Sequence, residues 1–240
     1  YYLDWDTPFD CTVVHAGGSD EAMQALRVGG QRDLNESYTY MWRESGGGRN
    51  WNNLFTSPTL LNEYNGSKGW TSSQPKVFPR QTPSETTELL ERRRKCAEQN
   101  SAEGVDDNDD NGSEGALTCE AYTPATTIKI NFSANTSHNV IYNYDAASNT
   151  YLRSHQDGKP HLSYECPADL SKPNTQTACG EPKQLAPSVV IAMEVHQSTM
   201  ADNYHQSIRT VGSGKAKIFQ NGELIEGTWT KDSQDARIIF

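Results

Sequence analysis

The chain has 240 residues, and its 21 Lys and Arg against 31 Asp and Glu give a formal net charge of −10. A protein that binds nucleic acid needs clustered positive charge to displace counterions from phosphates, so this balance argues against a nucleic-acid partner. No run approaches the roughly 20 apolar residues of a membrane-spanning helix, and no charged-then-apolar leader opens the chain. We therefore expect a soluble protein, with any export signal outside this sequence. A mean hydropathy of −0.78 indicates that part of the chain is loop or linker.

The first 71 residues have the pattern of an α/β domain. The β-branched run CTVVH ends in Ala16, Gly17 and Gly18, and Ser19 then precedes EAMQALRVGG, whose apolar residues share one helical face. Strand, glycine turn and helix in this order are the unit from which parallel sheets are built. Further along, SPTLLNEYNG predicts a short helix with Ser57 as its N-cap. One such unit does not complete a sheet, so the domain in 1–71 is predicted to lack an upstream segment.

Residues 72–120 have the composition of a flexible charged linker or insertion. The stretch SSQPKVFPRQTPSE is broken by prolines, ETTELLERRRKCAEQ predicts a charged helix, and SAEGVDDNDDNGSEG is acidic and of low complexity. Asp107, Asp109 and Asn111 resemble the first half of a calcium-binding loop, but Thr118 stands where such a loop needs a bidentate glutamate. An acidic disordered loop is the favoured interpretation, and calcium binding by residues 106–114 stays open.

Residues 121–240 change to the period-two pattern of antiparallel strands. TTIKINFS alternates, VIYNYDAASNTYLRSH reads as strand, turn and strand, and PSVVIAMEVHQS predicts one continuous buried strand. Asn221 and Gly222 stand between two alternating runs, which is a strong signal for a tight hairpin. The sequence thus predicts an α+β protein, in which a partial α/β domain is followed by a mostly antiparallel β domain.

Four of the five cysteines divide into two local pairs, Cys96 with Cys119 and Cys166 with Cys179. Each pair would close a polar loop that burial alone cannot order, which predicts two disulfides and an oxidising compartment. Unpaired surface thiols are the alternative. The spacing does not fit a zinc site, and no metal or cofactor is predicted. Cys11 is left over in an apolar run, where we expect a small buried hydrophobic residue.

Several residues are candidates for binding a ligand. His15 is predicted at the carboxyl end of a strand, just before the turn and helix N-terminus where α/β sheets place ligand groups. The alternative is a histidine that only shapes the turn. Arg43 and Arg49 flank a glycine run and have the geometry to grip a carboxylate or phosphate, although exposed arginines are more often solvated. His161, in a loop beside Asp157, is more simply a loop histidine. The candidate ligand-binding residues are His15, Gly17, Gly18, Ser19, Arg43, Arg49, Asn52, Asn53 and His161.

Four ordered landmarks resemble one family. VVHAGGSDEAMQAL, YMWRESGGGRNWNNLFTSPTLL, NYDAASNTYLRSHQDGKPH and VGSGKAKIFQNGELIEGTW are similar to the YerB-like family of bacterial extracytoplasmic lipoproteins, whose function is unknown. The resemblance covers most of the chain outside residues 72–124. It implies an α/β first domain, a β-rich second one, and further strands before Tyr1. The family usually has a histidine where this sequence has Asn52, which argues against acid/base chemistry by that segment.

These observations together predict an extracytoplasmic protein, at the cell surface or secreted, that acts by binding a cell-wall glycan or an envelope protein. The resemblance implies a lipid anchor outside this chain as its only attachment to a membrane, and an upstream segment of the same precursor as a partner. Aromatic residues near the glycine run are suited to stack on sugars or to fill a small core. The alternative is a hydrolase or transferase acting on cell-wall polymer, with His15, Arg43 and Arg49 around a cleft.

Overall fold

The computed structural model describes residues 2–37, 39–43, 54–76, 78–102, 122–132, 134–163, 180–203 and 206–240. These residues form helices in the first half of the chain and mainly antiparallel strands in the second, so the predicted α+β class is confirmed. The helices are α1 (Tyr2–Asp6), α2 (Asp20–Val28), α3 (Pro58–Ser67) and α4 (Pro83–Ala102), with 3-10 turns at Thr7–Phe9 and Thr136–His138.

Short strands alternate with helices in the first half: β1 (Val13–His15), β2 (Asp33–Asn35), β3 (Trp42–Arg43) and β4 (Leu54–Phe55). β1 and β2 are parallel, with α2 as the crossover, while β3 and β4 are antiparallel. α2 begins where Ser19 accepts a hydrogen bond from the Ala22 amide, and two acidic residues in its first turn favour the positive end of the helix dipole. Leu26 of α2 and Leu34 of β2 are buried, so these two residues mark the buried face of the β1-α2-β2 unit.

α4 is a long charged helix that contacts the β half of the molecule. Its half-buried residues recur at helical spacing, at Thr86, Leu89, Leu90, Arg93 and Cys96. The Arg93 guanidinium pairs with Glu223 and donates to the backbone carbonyl of Asn221. The polar segment before α4 is also bound to the rest of the chain, because the Lys76 amide donates to the Pro8 carbonyl.

The strands described in the β half are β5 (Thr123–Pro124), β6 (Thr127–Ile130), β7 (Val140–Asp145), β8 (Thr150–His155), β9 (Leu162–Ser163), β10 (Lys183–Gln184), β11 (Val189–Met193), β12 (His196–Thr199), β13 (Gln206–Arg209), β14 (Gly212–Gln220) and β15 (Glu223–Lys231). The two larger sheets have the orders β6-β7-β8 and β11-β14-β15-β5. Because β5 continues into β6, and the segment before β11 pairs with β8, the two sheets join along both sides into one closed sheet. The joining backbone hydrogen bonds run from Ala125 to Gly222, Tyr144 to Thr126, Tyr151 to Pro187 and Arg153 to Leu185.

The closed sheet packs on both of its faces. Inside it, Ile128, Tyr151 and Val190 form a buried cluster with Phe219 against it, and the Tyr151 hydroxyl accepts a hydrogen bond from the Gly222 amide. On the outer face, Ala216, Trp229 and Ile238 form a second cluster, so the segment after β15 covers one end of the sheet. Asn221 and Gly222 both have positive φ, at 53° and 74°. This confirms the predicted tight hairpin turn.

Two expectations from the sequence are wrong. The run PSVVIAMEVHQS is not one buried strand, because β11 ends at Met193 and β12 begins at His196 with all of its residues exposed. Cys11 is exposed rather than buried: it follows Asp10, whose left-handed backbone (φ 49°) turns the chain before β1 begins. The Cys11 thiol donates weakly to the Asp6 carbonyl at 3.5 Å. Partial burial raises the pKa of this thiol, and the charge of Asp6 raises it further.

Candidate functional site

His15 is the last residue of β1, at the carboxyl end of the parallel pair, where it was predicted. Its Nε2 lies 3.1 Å from Oδ2 of Asp33, and its Nδ1 lies 2.9 Å from the Gly17 carbonyl oxygen. Both neighbouring oxygens are hydrogen-bond acceptors, and each faces one nitrogen of the imidazole ring. Both ring nitrogens are therefore occupied by the protein itself.

The glycine turn after β1 is tied to the end of β2 by an asparagine. Gly17 has φ 71°, and its amide donates to Oδ1 of Asn35 at 2.8 Å. The same oxygen accepts the Glu36 amide at 2.8 Å. Gly18 and Ser19 follow on the exposed side, and Ser19 caps α2. The predicted residues Gly17, Gly18 and Ser19 thus lie beside His15 at one edge.

Arg43 joins this edge from β3. Its Nε donates to Oε1 of Glu36 at 2.8 Å, and a terminal nitrogen lies 2.6 Å from the same oxygen. The two side chains are 30% and 26% exposed, so solvent or a ligand reaches the pair. On β3 beside it, the indole Nε1 of Trp42 is buried, and no described residue forms a hydrogen bond with it.

The structure therefore assembles a polar edge around the end of β2, which we call the edge site: His15, Asp33, Asn35, Glu36 and Arg43. Its polar side chains contact one another in two pairs, His15 with Asp33 and Arg43 with Glu36. Sequence reasoning missed the three residues contributed by or following β2. The available signal was the strand-turn-helix unit, which predicts a parallel return strand soon after Gly30.

Comparisons with known proteins agree with this fold. Residues 128–240 match the model of the C-terminal domain of a protein of unknown function, DUF3048. The crystal structure of the YerB protein from Bacillus subtilis superposes on 100% of this chain with a TM-score of 0.65 and 18% sequence identity. The chain therefore has the fold of that YerB protein. It spans 65% of the length of that YerB chain, and no curated protein matches the sequence.

The remaining predicted ligand-binding residues are Arg49, Asn52, Asn53 and His161. Arg49, Asn52 and Asn53 lie outside the described residues. His161 lies in the β half, between β8 and β9, where its ring stacks on His155 with centroids 4.8 Å apart. The Nδ1 of His161 is buried and has no hydrogen-bond partner within the described ranges, while its backbone amide donates to the Arg153 carbonyl.

The two disulfide pairings stay predictions. Cys119, Cys166 and Cys179 lie outside the described residues, while Cys96 lies half-buried on α4. Across the parts of the chain that the structure describes, no three His, Cys, Asp or Glu side chains are grouped to hold a metal ion. Within the same ranges, no helix combines the length and apolar character needed to cross a membrane.

Proposed function

We propose that this protein is an extracytoplasmic cell-envelope protein that acts by binding, and that its edge site takes a neutral stretch of cell-wall glycan. The observation that carries the proposal is the convergence of five polar side chains at the carboxyl end of a parallel strand pair, beside a helix N-terminus. This is the place where open α/β sheets bind ligands. The exposed Arg43 guanidinium is already paired with the Glu36 carboxylate, which suits a neutral ligand better than a charged one.

The chemistry of the edge site fits sugar hydroxyls. Carboxylates accept, guanidinium donates, and an amide does both, so planar side chains of these types can bind neighbouring hydroxyl groups in pairs. Asp33, Glu36 and Arg43 keep about a quarter to a third of their side-chain surface exposed. The contact of Asp33 with His15 and the contact between Arg43 and Glu36 hold these side chains in place. Fixed polar groups bind with less loss of conformational entropy than mobile ones.

This geometry favours binding over the alternative, a hydrolase or transferase of cell-wall polymer. A histidine that acts as a general base needs a ring nitrogen free to take a proton from the reacting group. In the edge site, Asp33 and the Gly17 carbonyl engage both nitrogens of His15.

The localisation is part of the same proposal. The YerB-like resemblance and the two predicted disulfides, Cys96 with Cys119 and Cys166 with Cys179, support an oxidising compartment outside the cytoplasm. A lipid outside this chain would then anchor the protein to the membrane. Non-reducing peptide mapping tests the pairing, and free thiols at these four cysteines would contradict it.

Glycan binding is tested with soluble glycan strands released from purified cell walls. We expect titration to shift the backbone amide signals of Gly17 and Glu36 in the wild-type protein. His15→Ala should weaken binding by about tenfold or more, because it removes the side chain that holds the Asp33 carboxylate and the Gly17 turn in place. His196→Ala, which changes an exposed histidine of β12, is the matched control and should bind normally.

The same variants separate binding from turn formation. If His15→Ala lowers the melting temperature strongly and leaves the affinity unchanged, His15 only shapes the turn. If the wild-type protein gives no shift at Gly17 or Glu36 with glycan strands, the edge site is not a glycan site.

A further inference from the structure

Two backbone amides fix the orientation of the Asn35 side chain in the edge site. Oδ1 of Asn35 accepts hydrogen bonds from the amides of Gly17 and Glu36, both at 2.8 Å. A backbone N–H only donates, so the oxygen of the carboxamide faces these two groups and its NH2 group faces away from them. Asn35 is exposed, and no described residue accepts a hydrogen bond from its Nδ2. The edge site therefore contains a fixed amide donor that a ligand can reach.

Asp33 provides an acceptor on the same face of β2. Side chains alternate between the two faces of a strand, so Asp33 and Asn35 project from one face and the buried Leu34 from the other. Nε2 of His15 contacts Oδ2 of Asp33, while Oδ1 has no partner in the described part of the chain. The Asp33 side chain is 31% exposed. β2 thus presents a carboxylate oxygen beside the fixed donor of Asn35.

The spacing of these two groups matches a secondary amide. Residues two apart on a strand are separated by about 6.6 Å. A ligand amide that donates its N–H to one group and accepts at its carbonyl from the other spans two hydrogen bonds and its own N–C–O unit, about 7–8 Å in all. A single hydroxyl with two hydrogen bonds at one oxygen spans at most about 5.6 Å. The pair therefore suits an amide better than a lone hydroxyl.

We propose that the edge site recognises the acetamido group of an N-acetylated sugar. The acetamido carbonyl oxygen accepts from Nδ2 of Asn35, and the acetamido N–H donates to Oδ1 of Asp33. The inference rests on the proposed glycan function and names the class of sugar that the same site selects. Glu36 and Arg43 lie beside this pair and are suited to the hydroxyls of the sugar ring.

A peptide bond carries the same donor and acceptor as an acetamido group. A peptide bound along a strand also brings alternate side chains, and pockets for these side chains give such sites their specificity. The described side chains around Asn35 are instead polar, namely His15, Asp33, Glu36 and Arg43. This surrounding favours a sugar, whose remaining groups are mainly hydroxyls.

The test compares two trisaccharides that have the same linkage. Tri-N-acetylchitotriose carries an acetamido group at C2 of each ring, where cellotriose carries a hydroxyl. We expect the first to shift the Nδ2 proton signals of Asn35 in NMR spectra of the whole chain. Cellotriose should bind at least about tenfold more weakly, because hydrogen bonds to Asn35 and Asp33 are not made. N-acetyl-trialanine amide, a neutral peptide with the same amide groups, should bind as weakly as cellotriose.

Asn35→Asp removes the donor and keeps the turn. A carboxylate at this position still accepts from the amides of Gly17 and Glu36, but it does not donate to the acetamido carbonyl. Affinity for tri-N-acetylchitotriose should therefore fall at least about tenfold, while the Gly17 amide signal stays close to its wild-type position. Asn135→Asp is the matched control and should bind normally, because Asn135 is also exposed, its Oδ1 also accepts a backbone amide, and the variant introduces the same charge.

Three results would each overturn acetamido recognition: equal affinity for the two trisaccharides, equal affinity for the peptide, or unchanged binding by Asn35→Asp. The comparison of ligands uses the wild-type chain, so it decides the question even if the variant is less stable. If released glycan strands still shift the amide signals of Gly17 and Glu36 in these cases, the proposed glycan function stands and only the choice of sugar is wrong. If the strands give no shift either, both proposals fail.

Discussion

Lys231 shows how a single charged residue closes a turn. It is 1% exposed, and its ammonium group donates to the carbonyl oxygens of Gln234 and Ala236 in the segment after β15. Removing the donor leaves two carbonyls without their partner, which costs about 1–3 kcal/mol. We expect Lys231→Met to lower the free energy of unfolding by this amount in urea titrations. Lys215→Met, at an exposed position of β14, should change it by less than about 0.5 kcal/mol.

The same residue gives a prediction for pH. Burial holds the pKa of Lys231 below its ordinary value of 10.5, so between the two values the unfolded chain binds more protons than the folded one. Stability contributed by this group therefore rises with pH in that window, because the cost of burying the charge disappears. The difference in unfolding free energy between wild type and Lys231→Met should grow as pH rises toward 10.5. A difference that is constant or shrinks would contradict the argument.

Residue positions in the edge site were only partly predictable. His15, Gly17 and Ser19 belong to a strand-turn-helix unit whose order is local, so the sequence predicts where they lie. The partners Asp33 and Asn35 come from the return strand β2, only three residues long, which is too short to show alternation around Leu34. The charge of Arg43 made it a candidate, but its pairing with Glu36 depends on where β3 packs, and no sequence pattern predicts that.

Two of the glycines in the hairpin of β14 and β15, Gly222 and Gly227, differ in whether their positions tolerate a side chain. Gly222 has φ 74°, and a Cβ there would lie 2.6 Å from Cε1 of Tyr144, so the turn needs glycine both for its backbone and for its space. Gly227 has no atom within 4 Å of its Cβ position and lies in β15. We expect Gly222→Ala to cost about 2–4 kcal/mol, from left-handed strain and overpacking together.

Gly227→Ala is the matched variant in the same hairpin. Alanine restricts the unfolded chain, so stability should be unchanged or higher by about 0.4–1 kcal/mol. Thermal unfolding of both variants, followed by circular dichroism, measures the contrast. Similar losses at the two positions would show that the turn geometry does not control this hairpin.

Elements with strong local signals were predicted and the others were not. The Asn221–Gly222 turn, the Ser19-capped α2 and the Ser57-capped α3 each depend on residues within about ten positions, so the sequence specifies them. β11 was extended too far because apolar residues alone do not show where a strand leaves its sheet. Here the Glu194 carbonyl accepts the indole N–H of the distant Trp229, just after β11 ends.

At the scale of the whole molecule, closure of the β half could not be predicted. It depends on Tyr151 pairing with Pro187 and Ala125 with Gly222, contacts between residues 36 to 97 positions apart. No short-range pattern encodes such pairs. Closure has a physical consequence, because a closed sheet leaves fewer unpaired strand edges to pair with other chains. The exposed hairpin of β12 and β13 lies outside this closed sheet.

The two halves of the chain have separate buried cores. The first half buries Leu34 (2% exposed) between its short strands, while the closed sheet has its own core around Val190. Three contacts join the first half to the β half. Asp4 accepts a hydrogen bond from the Thr210 hydroxyl, Lys76 pairs with Asp235, and the Phe78 ring packs on Phe240. Solvent-exposed ion pairs contribute little, so these contacts should couple the halves weakly, and each half should open as its own unit.

Leu34→Ala and Val190→Ala test this independence with one buried aliphatic residue removed from each half. Leu34→Ala should cost about 2–5 kcal/mol and lower the hydrogen-exchange protection of amides in β1 and β2, while protection in β8 and β14 stays at the wild-type level. Val190→Ala should lower hydrogen-exchange protection across the closed sheet. Independent halves predict that the protection of amides in α2 stays at the wild-type level. Equal loss of protection in both halves from either variant would show instead that the contacts between the halves make the chain one cooperative unit.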